Sequence, residues 1–167
     1  MRLAVTVQMA SSRRGVPHAR SLNRWAQAAC AHHSPRGHQE LALTIRIVGA
    51  AESRRLNRDW RSKDKPTNVL SFPAAPLAPG ENGVPSRLSA KEFSGLHELG
   101  DLAICAPVVA REAREQGKPA QAHWAHMVVH GVLHLLGFDH ENDRDANVME
   151  ARETKILAQF GYPNPYA

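Results

Sequence analysis

Three histidines in the C-terminal half of the chain have the spacing of a metal site. His130, His134 and His140 lie in the segment HGVLHLLGFDH, and neutral imidazole is the commonest protein ligand for zinc and similar ions. On a helix, His130 and His134 lie one turn apart on one face. Gly137 allows the helix to end in a left-handed turn that returns His140 towards them. The spacing predicts three nitrogen ligands and an open fourth position, which is typical of catalytic zinc.

His126 lies near the same helix face but cannot bind the same ion as His134. At about 1.5 Å rise per residue the two are roughly 12 Å apart along the axis, whereas a zinc–nitrogen bond is only about 2.0–2.1 Å. We expect His126 to support a metal ligand, to contact substrate or simply to be packed. Asp139 is either a residue that orients a ligand ring or an exposed turn residue.

The periodicity of apolar residues predicts the elements that must position these side chains. Strands are predicted at residues 3–9, 40–48, 69–72 and 99–105, and helices at 17–32, 50–60, 108–116, 120–136 and from 143 or 145 to 160. Leu56 and Trp60 are expected on the inner face of the second helix. Residues 74–97, rich in proline and glycine, predict a long surface loop, which in a compact domain is usually functional or disordered.

Length, charge and hydropathy narrow the class of protein. A chain of 167 residues predicts a single domain, residues 1–167. No apolar run approaches the ~18 residues needed to span a membrane, and the N-terminus alternates like a strand rather than a signal peptide, so we expect a cytoplasmic protein. The net charge of +5 favours an acidic partner such as nucleic acid.

The spacing H-x-x-x-H-x-x-G-x-x-H also occurs in the metzincin peptidases, which carry a catalytic glutamate directly after the first histidine. Gly131 occupies that position here. An enzyme without that base can still use metal-assisted chemistry, because the ion itself activates water. The ordinary zinc-peptidase mechanism, however, has lost its proton acceptor.

Four segments together are specific enough to indicate a family. HMVVHGVLHLLGFDH, at residues 126–140, closely resembles the signature of the YbeY family of bacterial endoribonucleases and rRNA maturation factors. Three further segments match in the expected order, namely RSKDKPTNVLSFP (61–73), LGDLAIC (99–105) and MEARETKILAQFGY (149–162). The departures are Ser62 for a usual glycine, Phe138 for a usual tyrosine, and a proline-rich insert after Pro73.

The resemblance implies an α+β fold with a small mixed sheet and helices packed around it. It implies one zinc ion held by His130, His134 and His140, and a single-strand-directed endoribonuclease that acts in 16S rRNA maturation, including its 3′ end, and in ribosome quality control. By the same match, Arg61 is a functional residue of the substrate cleft. The ribosome or its small-subunit proteins are further candidate partners.

Phosphodiester cleavage needs a group that stabilises charge on the phosphoryl oxygens. Arg61 is suited to bidentate contact with a phosphate. Lys63 and Lys65 either contact the phosphate backbone of the RNA or are solvated charges. We therefore take Arg61, Lys63, Lys65 and His126 as candidate substrate-binding residues, and Arg61 with the three histidines as the catalytic set.

The sequence leaves several alternatives open. The chain could be a zinc peptidase-like hydrolase, or a non-catalytic ribosome-assembly factor with structural zinc. The nucleophile could be metal-bound water or the 2′-hydroxyl of the RNA, and nickel or another ion could replace zinc. An aromatic content of 5% argues against an extended base-stacking platform.

Overall fold

The computed structural model describes residues 2–31, 40–74 and 96–167. These ranges contain four strands and five helices, in the order β1 (Arg2–Met9), α1 (Ala19–Ala31), β2 (Glu40–Val48), α2 (Ala50–Arg61), β3 (Val69–Pro73), β4 (Leu96–Cys105), α3 (Ala106–Glu115), α4 (Ala120–Leu135) and α5 (Asp143–Ala158). The predicted α+β class is confirmed, with small differences at the ends of the elements. None of the helices in the described ranges has the length and apolar content needed to cross a membrane.

The four strands form one mixed sheet in the order β1-β2-β4-β3. β1, β2 and β4 are parallel, and β3 runs antiparallel to β4, as the family resemblance implied. The alternating pattern of β2 places Leu41, Leu43 and Ile45 in the core. One hydrophobic cluster joins the sheet to α1, α4 and α5, which supports our proposal that the chain forms a single domain.

β4 begins three residues before the predicted strand and takes in the end of the loop predicted at residues 74–97. Its first two residues pair with Glu40 and Leu41, because β2 offers backbone partners from its first residue onward. The prediction was therefore wrong for Leu96 and His97. Residues 75–95 of the predicted loop lie outside the described residues.

α4 is buried on nearly all sides and packs closely against the sheet at Gly131. A Cβ atom at this position would lie 2.8 Å from a methyl carbon of Leu102 and 3.3 Å from one of Val69. Only glycine therefore allows this approach of the helix to β3 and β4. The same contact fixes the position of the adjacent His130 relative to the sheet.

The end of α2 is fastened to the turn that follows it. The buried Ser53 hydroxyl donates to the carbonyl of Thr67 and accepts from its amide, both at 3.0 Å, and the Asn57 side chain donates to the carbonyl of Lys65 at 2.7 Å. The prediction that Trp60 faces inward is wrong, since its side chain is 70% exposed. The ring reaches the edge strand β3, where it meets Phe72 edge to face.

Candidate metal centre

α4 and the turn that ends it bring the three predicted ligands together. His130 and His134 lie one turn apart on α4. Gly137 takes a left-handed φ of 99°, and its amide donates to the carbonyl of His134 at 2.9 Å. The chain then reverses, so that the ring centre of His140 lies 5.6 Å from that of His130 and 4.8 Å from that of His134.

The ring nitrogens are close enough to share one ion. Ligand atoms of His130, His134 and His140 all lie within 4.8 Å of one another, and Nε2 of His130 is 3.1 Å from Nε2 of His134. Two nitrogens bound to one tetrahedral zinc ion, with bonds of ~2.0–2.1 Å, lie about 3.3 Å apart. The separation of these two nitrogens therefore fits a shared metal ion.

Hydrogen bonds on the far side of two rings decide which nitrogens can bind a cation. Nδ1 of His130 donates to a carboxylate oxygen of Glu153 at 2.6 Å, and Nδ1 of His134 donates to the carbonyl of Phe138 at 3.0 Å. A carboxylate and a carbonyl only accept, so these partners assign a hydrogen to Nδ1, and in the neutral form of each ring Nε2 carries a lone pair. Two lone pairs that face each other at 3.1 Å repel unless a cation lies between them.

A proton carried by His134 is not that cation at neutral pH. Burial and the neighbouring rings of His130 and His140 lower the pKa of His134 to about 4. His134 is therefore neutral under ordinary conditions, which is the form of imidazole that binds metals. The tautomers, the spacing and the charge state all fit a metal ion held by these residues.

Glu153, on α5, is a residue of this site that the sequence analysis missed. Its carboxylate is fully buried, at 0% exposed. It accepts hydrogen bonds from Nδ1 of His130 at 2.6 Å, from Nε2 of His126 at 3.3 Å and from the hydroxyl of Tyr166. Burial by itself would raise the pKa of Glu153, but the hydrogen bonds from His126 and His130 lower it to about 2. The residue is therefore an anion that can fix the tautomer of His130 and increase its basicity.

The periodicity of α5 contained a signal for Glu153. Met149, Glu153 and Ile156 share the buried face of this helix, and a glutamate is almost never fully buried unless it is paired. A carboxylate at an apolar position therefore indicates a partner on a neighbouring element. Tyr166 lies beyond α5 and has no such signal. Burial and the adjacent Glu153 raise the pKa of its hydroxyl above the ordinary value.

His126 lies in this buried network and is not among the residues that line the cleft. Of the three roles that the sequence left open for His126, its geometry fits the support of a metal ligand. His126, His130 and Glu153 also bring ligand atoms within 4.8 Å of one another. Hydrogen bonds from both histidines to the carboxylate account for this second group without an ion.

The three histidines open onto a cleft of about 1080 Å³. Its walls come from the end of α2, from β3 and β4 and from the turn after α4, and they include Trp60, Arg61, Asn68, Phe72, Asp101 and Asp139. The carboxylate of Asp139 accepts a hydrogen bond from the backbone amide of His140 at 2.7 Å, so it stabilises the turn. Lys63 and Lys65 are exposed in the turn after α2 and do not line the cleft.

Arg61 differs from the other arginines of α2. Arg54, Arg55 and Arg58 lie 2.8, 3.7 and 3.3 Å from neighbouring carboxylates. Within the part of the chain that the structure describes, Arg61 has no ion-pair or hydrogen-bond partner for its side chain, and it lines the cleft. Its guanidinium is therefore available for an external anion such as phosphate.

Ser62 keeps the turn that a glycine would make at this position. Its φ of 56° is left-handed, and its amide donates to the carbonyl of Arg58 at 3.1 Å. A residue with a Cβ atom adopts this conformation at a cost of roughly 1–2 kcal/mol. The replacement of glycine therefore leaves Arg61 at the cleft.

The fold and the site define the class of protein: an α+β protein whose buried helix presents convergent imidazoles at an open cleft, the plan of a metal-dependent hydrolase. The family model described as Endoribonuclease YbeY matches residues 7–161. The chain belongs to this family.

Individual relatives match over nearly the whole chain. Endoribonuclease YbeY of Halorhodospira halophila is 51% identical over 150 residues, which cover 90% of this chain and 88% of that protein. Endoribonuclease YbeY of Stenotrophomonas maltophilia is 50% identical over 167 residues, which cover 100% of this chain and 95% of that protein. The solution structure of TM1509 from Thermotoga maritima is similar with a TM-score of 0.55 and 21% identity, covering 92% of this chain and 88% of that one. The likeness to TM1509 concerns the fold alone.

Proposed function

We propose that this chain is a zinc-dependent endoribonuclease that cleaves single-stranded RNA. The observation that carries the proposal is the pair of Nε2 atoms of His130 and His134, which lie 3.1 Å apart at a cleft that is also lined by Arg61, an arginine without a partner among the described residues. Family membership supports the type of reaction, since the relatives are named endoribonucleases. The proposed catalytic set is Arg61, His130, His134 and His140, of which the histidines hold one zinc ion.

The residues of the chain divide the work of phosphodiester cleavage. A zinc ion in such a site supplies Lewis-acid polarisation of a phosphoryl oxygen. Glu153 and the carbonyl of Phe138 hold His130 and His134 with Nε2 towards the cleft. Arg61 binds the phosphate and offsets the negative charge that develops on its oxygens.

Candidate residues outside the cleft wall have weaker roles in this proposal. Lys63 and Lys65 follow Arg61 in an exposed turn, where they contact flanking phosphates of a longer strand. His126 acts through its contact with Glu153.

We further propose that the substrate is 16S rRNA, cleaved during maturation of its 3′ end and in ribosome quality control. The family resemblance supports this substrate, and a net charge of +5 suits a polyanion. The enzyme would then act in the cytoplasm, next to small-subunit proteins.

Two other functions have less support. A peptidase of this histidine spacing needs a glutamate at position 131, but a side chain there would collide with Leu102. A purely structural zinc site usually has four protein ligands. Here the described residues bring three histidines together, and they open onto the cleft.

Metal analysis combined with a substrate panel tests the function. We expect about one zinc per chain, cleavage of single-stranded RNA, and no cleavage of casein. His134→Ala should stay folded but lose both metal and RNA cleavage, whereas the exposed control His18→Ala should retain them. RNA cleavage by folded His134→Ala at the wild-type rate would refute a catalytic metal. Cleavage of casein alone would support the peptidase, and unfolding on metal removal with no cleavage of any substrate would support structural zinc.

The rRNA substrate needs a separate experiment. In a strain that lacks this protein, mapping of 16S rRNA should show unprocessed 3′ ends. The wild-type gene should restore mature ends and Arg61→Ala should not. Mature 3′ ends in the deletion strain would refute the role in 16S rRNA maturation while leaving RNA cleavage in vitro untouched.

A further inference from the structure

Trp60 exposes a large apolar ring at the mouth of the metal cleft. Its side chain is 70% exposed, the highest value among the exposed large hydrophobic residues in the described ranges. The ring lines the same cleft as His130, His134 and His140. Exposure of this much aromatic surface costs free energy in water, so its presence beside a candidate active site points to a ligand that covers it.

The ring of Trp60 is held in place before any ligand binds. It packs against Phe72 in an edge-to-face arrangement, with ring centres 5.5 Å apart and planes at 71°. The helix end that carries it is closed by Ser62, and Asn57 fastens the following turn. A fixed aromatic ring loses little conformational entropy on binding, which favours its use as a contact surface.

The neighbour of Trp60 indicates the chemistry of that ligand. Arg61 is the one arginine of α2 without a carboxylate partner among the described residues, and it lines the same cleft. A flat aromatic ring followed directly by an unpaired guanidinium matches the two parts of a nucleotide, the base and the phosphate. A protein partner would not require an aromatic ring and a free guanidinium to lie together beside the metal centre.

We propose that Trp60 stacks on an unpaired base of the RNA substrate whose phosphate contacts Arg61. This inference rests on the proposed function and adds a residue that selects the substrate. In a duplex, both faces of a base are covered by its neighbours, so only a single strand or an unstacked loop can offer a face to the ring. Trp60 thereby gives the cleft a preference for single strands without reading their sequence.

Tryptophan fluorescence provides a direct test, because Trp25 and Trp124 are buried at 3% and 1% exposed. Zinc-loaded full-length protein is titrated with a 2′-O-methyl single-stranded oligonucleotide, checked on a gel to remain intact, and with its duplex. We expect the single strand to quench the emission of Trp60, and this quenching to disappear in Trp60→Phe. Affinity measured by anisotropy should fall about 5- to 150-fold in Trp60→Ala, which corresponds to the usual strength of base–aromatic stacking.

Controls separate stacking from folding and from the proposed function. Trp60→Phe should bind the single strand less than tenfold more weakly than wild type, since phenylalanine also stacks, and duplex affinity should be equal in all three proteins. If Trp60→Ala bound the single strand with wild-type affinity and still cleaved RNA, the stacking role of Trp60 would be overturned and the proposed function would stand. Failure of the wild type to bind or cleave any RNA would overturn the proposed function as well.

Discussion

Glu153→Gln tests how the buried carboxylate supports the metal centre. The substitution removes the charge and keeps the size of the side chain. The native carboxylate accepts hydrogen bonds from His130, His126 and Tyr166, whereas an amide has one oxygen and directs an NH2 group at the remaining donors. At least one contact is therefore lost, and the ring of His130 is no longer fixed by an anion.

The expected loss can be worked from these contacts. Removal of a group that orients a metal ligand typically reduces metal affinity 10- to 100-fold, which is about 1.4–2.7 kcal/mol. The contact with His130 is short, at 2.6 Å, and involves a fully buried anion, so it belongs to the stronger class of hydrogen bonds. We expect a loss in the upper half of that range. Tyr166→Phe removes one donor and leaves the His130 contact, so its loss should stay below tenfold.

Zinc affinity is measured by competition with a chromophoric chelator at pH 7.5, and the visible spectrum of the cobalt-substituted protein reports ligand geometry. Glu150→Gln is the matched control, because it removes the same charge from the partly buried surface of the same helix. Zinc affinity of Glu153→Gln within twofold of wild type, in a protein that remains folded, would show that the carboxylate does not support His130. Equal losses in Glu153→Gln and Glu150→Gln would assign the effect to net charge instead.

Three further predictions concern the cleft, the helix–sheet contact and pH. Arg61→Ala should lower kcat/KM for RNA by roughly 10- to 150-fold, which corresponds to the strength of a hydrogen bond to a charged group. Arg58→Ala is the control and should leave RNA cleavage unchanged, because the native Arg58 is already paired with a carboxylate. Equal effects of the two substitutions would contradict a specific role of Arg61. Gly131→Ala should lower the free energy of unfolding by about 1–3 kcal/mol, because its methyl group would meet Leu102 at 2.8 Å, and an unchanged urea midpoint would argue against this close packing. Metal-free protein should lose stability as pH falls from 6.5 towards about 4, since His134 gains a proton near pH 6.5 in the unfolded state and only near pH 4 in the folded state. The midpoint of urea unfolding, measured against pH, should fall less steeply over this range in His134→Gln. Identical profiles of the two proteins would contradict the lowered pKa of His134.

The local part of the metal centre was predictable from the sequence because its geometry is local. His130 and His134 are related by one helix turn, and Gly137 marks the reversal that brings in His140. These relations depend on backbone geometry within eleven residues of the segment and hardly on the rest of the fold. The same holds for the strands, whose alternation follows from one buried face.

The residues that were missed depend on contacts between distant parts of the chain. Glu153 reaches His130 only after α5 packs against α4, and Tyr166 only after the C-terminal segment folds back. Trp60 was expected to be buried because helical spacing assigns it to the inner face of α2. Spacing does not reveal that the end of α2 reaches the edge strand β3, where the ring of Trp60 meets Phe72. Sequence periodicity therefore predicted the ligands and missed the groups that hold them and the ring beside them.

The position of the buried carboxylate separates this centre from a peptidase with the same histidine spacing. Glu153 contacts Nδ1 of His130, while Nε2 of that ring faces His134, so an imidazole ring stands between the carboxylate and any substrate. Glu153 can hold a metal ligand from there but cannot take a proton from a group in the cleft, and Gly131 offers no side chain to do so. Among the described residues, the carboxylates that line the cleft are Asp101, Asp139 and Glu141. A carboxylate that acts as proton acceptor in RNA cleavage would therefore come from these three, none of which occupies the position after the first histidine that carries the catalytic glutamate in peptidases of this spacing.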